Sequence, residues 1–120
     1  TAVKGEVNDV FYYYREQAAV QAKQFQRALD DLAKAIELNP KELTYFSELA
    51  VVNIRVGRNE EAIKVLKDAL EIDSKYAEAY RLIGVAQLQL KQNKEACASF
   101  AKAKELGDPN VDALIEKHCK

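Results

Sequence analysis

The sequence contains few of the residues that interrupt helices. Its 120 residues include four glycines and two prolines, and neither methionine nor tryptophan. So few turn-forming residues argue against disorder and against an all-β fold with many turns. Ala, Leu, Glu, Lys and Gln dominate instead, and these residues favour helices.

Neither sign of charge is in excess. Eighteen basic and 19 acidic residues give a net charge of -1, so the basic patch expected of a nucleic-acid binder is absent. No apolar run approaches the roughly 18 residues of a membrane helix, which argues against direct membrane insertion. Hydrophobic residues still make up 48%, enough for the core of one domain. Because the chain starts at Thr1 and has no methionine, we expect a processed form or a piece of a longer protein.

Residues suited to catalysis, cofactors or metals are equally scarce. The only histidine, His118, lies beside the C-terminus without an evident nucleophile or carboxylate partner, and no glycine-rich loop is present to bind phosphate. Neighbouring residues on a helix point about 100° apart, so Cys97, His118 and Cys119 are poorly placed to share one metal ion. We therefore predict that the chain is not an enzyme and has no cofactor.

A repeat of 34 residues runs through the sequence instead. Five columns of similar residues recur at this spacing: Ala28, Ala62 and Ala96; Ala35, Ala69 and Ala103; Leu32, Leu66 and Phe100; Tyr12, Phe46 and Tyr80; Leu38, Ile72 and Leu106. This period and pattern resemble the tetratricopeptide repeat family. The resemblance implies an all-α solenoid, a right-handed superhelix of three αα-hairpins closed by a C-terminal capping helix. We place a tail at 1–8, repeats at 9–42, 43–76 and 77–110, and the cap at 111–120, all in one domain.

The 34-residue register and the helix-end residues predict seven helices. They lie near 9–23, 25–38, 41–56, 59–72, 75–90, 93–106 and 109–119. We expect Asn8 or Asp9 to cap the first helix and Ser74 the fifth, with Pro109 in the first turn of the last.

One position departs from the family pattern. Ala50 and Gly84 are small where two helices of a hairpin cross, but Glu16 stands at the matching place in the first repeat. A buried Glu would need a partner. We therefore expect this end to face solvent or an earlier repeat. Tyr12 belongs to the repeat core, and Tyr13 and Tyr14 either cover the end or contact a ligand.

The resemblance also implies a concave groove lined by the first helices, which would take a peptide or a partner helix. Carried onto this sequence, the lining residues are Tyr13, Gln17, Val20, Gln21, Ser47, Glu48, Val51, Ile54, Arg55, Glu78, Arg81, Leu82, Val85 and Gln89. Arg55 and Arg81 are candidates to contact an acidic or carbonyl-rich ligand, and Glu48 and Glu78 a basic residue. The alternative is that all four are merely solvated.

Family members that bind chaperone tails clamp a terminal carboxylate with Lys, Asn and Arg. The matching positions here are Tyr13, Gln17, Glu48, Glu78 and Leu82. Two acids at this place would repel a carboxylate. We therefore expect a protein-interaction scaffold of another specificity. The alternatives are self-association, within a longer solenoid or as a homo-oligomer through the N-terminal face, and a regulatory domain of a larger protein.

Two cysteines lie at matching heights of the predicted C-terminal hairpin. Cys97 is ten residues before Gly107, and Cys119 is eleven after Asp108, so the two sulfurs become neighbours if the helices are antiparallel. A disulfide would favour the periplasm or the cell exterior. If both cysteines are instead reduced, Cys97 is a small core residue and a cytoplasmic location follows.

Overall fold

The computed structural model describes residues 8–119, which form seven α-helices and no strand. The helices are α1 (Asp9–Gln21), α2 (Phe25–Leu38), α3 (Leu43–Arg55), α4 (Asn59–Ile72), α5 (Ala77–Gln89), α6 (Asn93–Glu105) and α7 (Asp112–His118). Each end lies within three residues of its predicted place. The molecule is elongated, 55 × 28 × 21 Å, and no described helix is long and apolar enough to cross a membrane. Apart from Asn8, the predicted tail lies outside the described residues, as does Lys120.

The core follows the 34-residue register. Three of the repeated columns lie on α2, α4 and α6, the second helices of the three hairpins, and face the core. All nine residues of these columns are fully buried: Ala28, Leu32, Ala35, Ala62, Leu66, Ala69, Ala96, Phe100 and Ala103. The second helix of one repeat also packs against the first helix of the next, α2 on α3 and α4 on α5. The repeats therefore share one continuous apolar interior.

Side-chain volumes compensate where the helices of a hairpin cross. A methyl group on Gly84 would lie within 3.0 Å of three ring atoms of Phe100, so the third repeat pairs the smallest residue with the largest. The second repeat has Ala50 and Leu66 at the equivalent positions, both fully buried. The sum of the two volumes thus limits how closely the helices approach.

The turns inside the three hairpins share a left-handed residue. Lys23, Gly57 and Lys91, spaced by 34 residues, have φ angles of 61°, 86° and 66°. A left-handed residue at this place ends the first helix of each hairpin. Glycine adopts the left-handed conformation without strain, whereas lysine is strained in it. The sequence therefore indicated only the middle turn, at Gly57.

Two predicted details of the helix ends are wrong. Asn8 caps α1 by accepting the Phe11 amide at 3.1 Å, but Ser74 lies in a turn and α5 has no side-chain cap. The turn is held instead by Asp73, which accepts the Lys75 amide at 3.0 Å. Pro109 precedes α7 by three residues because Asp108 accepts the Asn110 amide and keeps residues 108–110 in a turn.

The last helix covers the end of the stack. Val111 is fully buried against Phe100 and Ala103, and Leu114 and Ile115 pack on the same cluster. The Cα atoms of Cys97 and Cys119 lie 5.7 Å apart and their sulfurs are bonded in the structure, a separation typical of disulfides. The bond ties the short α7 to α6, next to the apolar surface that α7 covers.

Candidate ligand-binding groove

The predicted groove residues lie on the first helices of the three repeats, α1, α3 and α5, and we call this surface the α1–α3–α5 face. Most of them are accessible: Tyr13, Gln17, Val20, Glu48, Val51, Glu78, Arg81 and Val85 are half-buried, and Gln21, Arg55 and Gln89 are exposed. Ser47, Ile54 and Leu82 are instead buried, with 5%, 8% and 7% of their surface exposed. Their inclusion in the lining was wrong, because Ile54 and Leu82 belong to the core shared by the second and third repeats.

Tyrosines form one end of this face. The ring centroid of Tyr13 lies 5.3 Å from that of Tyr45 and 5.8 Å from that of Tyr14. Tyr45 is buried, and its hydroxyl donates to Asp9 Oδ2 at 2.6 Å, which lowers the pKa of Asp9. Burial, followed by the charges of Glu48 and Glu16, raises the pKa of Tyr13. No sequence pattern indicated a role for Tyr45, because its contact with Asp9 joins residues 36 positions apart.

Acidic groups occupy the middle of the face. Burial and the nearby charge of Glu78 raise the pKa of Glu48. Glu78 accepts the Tyr76 hydroxyl at 2.9 Å and lies 3.5 Å from an Arg81 nitrogen. No ion pair of Glu48 is seen among residues 8–119, so its charge remains available to a ligand.

Arg81 is engaged within the protein. Its Nε donates to Asp108 Oδ2 at 2.8 Å, and the Asp108 side chain is only 3% exposed. The guanidinium therefore fastens the α6–α7 turn to α5, and the expectation that it serves an acidic ligand fails. Arg55 lies over the Phe25 ring, 5.2 Å from its centroid, at the exposed edge of the face.

Glu16 corrects the expectation that the first repeat opens to solvent at this position. The residue is 1% exposed, and its Oε1 atom is buried without a hydrogen-bond partner among residues 8–119. Arg15 does not neutralise it, since that side chain donates to both carboxylate oxygens of Asp31 instead. Burial, then the charges of Glu48 and Asp31, raise the pKa of Glu16 to about 7.

Arg15 closes the N-terminal end of the stack. Its guanidinium lies 5.4 and 5.5 Å from the ring centroids of Phe11 and Tyr12, and it pairs with the buried Asp31 at 2.8 Å. Tyr12 is therefore half-buried, whereas Phe46 at the equivalent place is 8% exposed. Within residues 8–119, the rings of Phe11 and Tyr12 and the Arg15–Asp31 ion pair cover this end of α1 and α2.

Comparisons with known proteins agree with this architecture. Models of a TPR repeat and of a tetratricopeptide repeat match residues 54–91 and 77–106. The Arabidopsis OM64 TPR domain is similar in structure at 28% identity, with a TM-score of 0.81 over 91% of each chain. No curated protein matches this sequence at a significant level.

Two further structures share the fold at lower identity. The first TPR of Spaghetti (RPAP3), bound to the HSP90 peptide SRMEEVD, is 18% identical with a TM-score of 0.83, over 93% of this chain and 90% of that one. YrrB, described as a TPR protein with an unusual peptide-binding site, is 24% identical with a TM-score of 0.82, over 94% of this chain and 58% of that one. The prediction of an all-α helical repeat solenoid is confirmed. The two family models, which together match residues 54–106, and the structural neighbours support the predicted assignment to the tetratricopeptide repeat family.

Proposed function

We propose that this chain is a non-catalytic interaction module that binds an extended peptide or a partner helix along the α1–α3–α5 face. The observation that carries the proposal is the row of half-buried Tyr13, Val51 and Val85, one from each repeat. Partly exposed aromatic and aliphatic side chains among a few polar groups are typical of peptide-binding surfaces. The Spaghetti and YrrB structures, whose descriptions name a bound peptide and a peptide-binding site, support the same use of this fold.

A display experiment tests the proposal. A random dodecapeptide library is selected on the immobilised chain, and the enriched peptides are measured by calorimetry against two variants. Val51→Asp places a charge in the middle of the face and is expected to weaken binding at least about ten-fold, the equivalent of about 1.4 kcal/mol. Ile72→Asp makes the same kind of change at an exposed position of α4 and serves as the matched control. Equal binding by Val51→Asp and the wild type, with both folded by circular dichroism, contradicts the proposal.

The acidic residues of the face lead us to propose that it does not accept a chaperone-tail peptide. Glu48 and Glu78 occupy positions that would meet the carboxylates of SRMEEVD, and like charges in a partly buried site repel strongly. Calorimetry with this peptide is expected to give no measurable heat of binding. Affinity comparable to that of the selected peptides would show that the two acids do not determine specificity.

Self-association through the N-terminal face is the second candidate. Ala18 is exposed, although its repeat equivalents Val52 and Ala86 are buried, and Tyr14 is 64% exposed. This candidate ranks second because Arg15 and Asp31 already close the centre of the face. Light scattering is expected to give the mass of a monomer. A dimer that Ala18→Glu dissociates would favour self-association.

We also propose that the chain works in an oxidising compartment, either the periplasm or the cell exterior. The bonded Cys97 and Cys119 support the proposal, since disulfides rarely persist in a reducing cytosol. Thiol titration of protein isolated without reductant and denatured in guanidinium is expected to find no free thiol. Two free thiols per chain would instead favour the cytoplasm.

A further inference from the structure

Charge on the α1–α3–α5 face is unbalanced. Its acids are Glu48 and Glu78, and its bases are Arg55 and Arg81. Arg81 pairs with Asp108 at 2.8 Å and with Glu78 at 3.5 Å, whereas Arg55 lies at the exposed edge over Phe25. The part of the face around Glu48 therefore carries negative charge, and no cation within residues 8–119 forms an ion pair with it.

Glu16 adds a second and independent sign that a cation is missing. It belongs to α1, where the family pattern has a small residue, and no donor in the described part of the chain reaches its buried Oε1. A buried polar atom without a partner costs about 1–3 kcal/mol, which calls for an explanation. Glu48 on α3 and Asp31 on α2 are the charged groups that influence the Glu16 carboxyl, and both are acids. The Tyr13 ring of α1 contacts the Tyr45 ring of α3 at 5.3 Å between centroids. Glu16 and Glu48 each lie three residues further along these two helices, so the Glu16 carboxyl adjoins the α1–α3–α5 face at the level of Glu48.

Tyr13 supplies an aromatic wall to the same place. It is held between Tyr45 and Tyr14, and Tyr45 is in turn fixed by its hydrogen bond to Asp9. A ring held in this way is pre-organised to contact a ligand. The face of a tyrosine ring attracts ammonium and guanidinium groups, so the aromatic and acidic groups favour the same kind of ligand.

We propose that Tyr13, Glu16 and Glu48 form a binding site for one cationic side chain, lysine or arginine, of the bound peptide. The cation donates to Glu48, lies against the Tyr13 ring and gives the Glu16 carboxyl a positive neighbour, which residues 8–119 of the free protein do not supply. Binding of the cation also relieves the repulsion among the three acids Glu16, Glu48 and Glu78. This inference rests on the proposed function, since it specifies one subsite of the same face.

The probe is a set of soluble decapeptide libraries, each an equimolar mixture of neutral residues around one fixed central residue. That residue is lysine, its uncharged isostere norleucine, or glutamate. Each library is passed over the immobilised chain, and the retained fraction is measured by mass spectrometry. We expect the lysine library to be retained about ten-fold more than the norleucine library, the lower end for a hydrogen bond to a charged group, and the glutamate library least.

Variants assign the preference to the site. Glu48→Gln keeps the shape and removes the charge, so it is expected to abolish most of the preference for lysine. Glu48→Lys is expected to transfer the preference to the glutamate library. Glu71→Gln, at an exposed position of α4, removes the same charge elsewhere and controls for net charge.

The outcomes separate this inference from the proposed function. Equal retention of the lysine and norleucine libraries, both lost in Val51→Asp, overturns the cation site and leaves the peptide face intact. A preference for lysine that survives Glu48→Gln overturns it as well. Retention that Val51→Asp does not reduce, for any library, overturns the proposed function itself.

Discussion

Replacing Glu16 with glutamine should make the protein more stable, and increasingly so as the pH rises. Glu16 is a buried carboxyl with an unpaired oxygen and acidic neighbours. The substitution keeps the shape of the side chain and removes its charge. Because ionised Glu16 has no cationic partner among residues 8–119, the charge is a cost that the variant no longer carries.

The magnitude follows from the raised pKa. In the unfolded chain Glu16 ionises near its ordinary value of 4.5, and in the folded protein near about 7. Well below pH 4.5 both the folded and the unfolded state hold the proton, so ionisation of the carboxyl takes nothing from the free energy of unfolding. As the pH rises from 4.5 to 7 the unfolded state ionises first, so stability falls, and above about pH 8 the cost is constant at about 3 kcal/mol.

Urea unfolding at several pH values from about 4.5 to 8 measures this effect. The difference in the free energy of unfolding between Glu16→Gln and the wild type should grow by up to about 3 kcal/mol across that interval. A fixed cost of burying the amide shifts every point equally and leaves the slope unchanged. Glu71→Gln, exposed on α4, should give a flat difference. The same flat line for Glu16→Gln would refute the raised pKa and its cause.

Three further predictions concern packing, a turn and the disulfide. Gly84→Ala should lower the free energy of unfolding by about 1–3 kcal/mol through overpacking against Phe100. Adding Phe100→Leu, the pairing of the second repeat, should recover part of that loss, and strictly additive effects would contradict the crossing argument. Lys91→Gly should raise the free energy of unfolding in urea by up to about 1 kcal/mol, because lysine at φ 66° is strained; a loss would contradict this. Reduction of the Cys97–Cys119 disulfide should lower the free energy of unfolding by about 3 kcal/mol, because the bond closes a loop in the unfolded chain. The stability of the double serine variant should not respond to reductant.

The helices and their order could be predicted from the sequence, because periodic burial is a local property. A column such as Ala28, Ala62 and Ala96 recurs only if each hairpin buries the same face, and every member is fully buried. The start of the short α7 was predicted less accurately, because Pro109 is compatible both with a turn and with the first turn of a helix. The hydrogen bonds of the Asp108 side chain, which no periodicity reveals, decided in favour of the turn.

Charge pairing needed the tertiary structure. The sequence placed Arg81 on the α1–α3–α5 face as readily as Glu48. The fold brings Asp108 within 2.8 Å of Arg81, whereas no cation of residues 8–119 forms an ion pair with Glu48. The repeat pattern likewise located Glu16 at an unusual position. Only the packing of α1, α2 and α3 in the structure showed that its carboxyl is buried. The sequence by itself determined the repeat, its register and the resemblance to a repeat family, because these depend on which residues are apolar at which spacing. The tertiary structure alone decided which charges remain for a ligand, because an ion pair depends on distance in space between residues far apart in the chain.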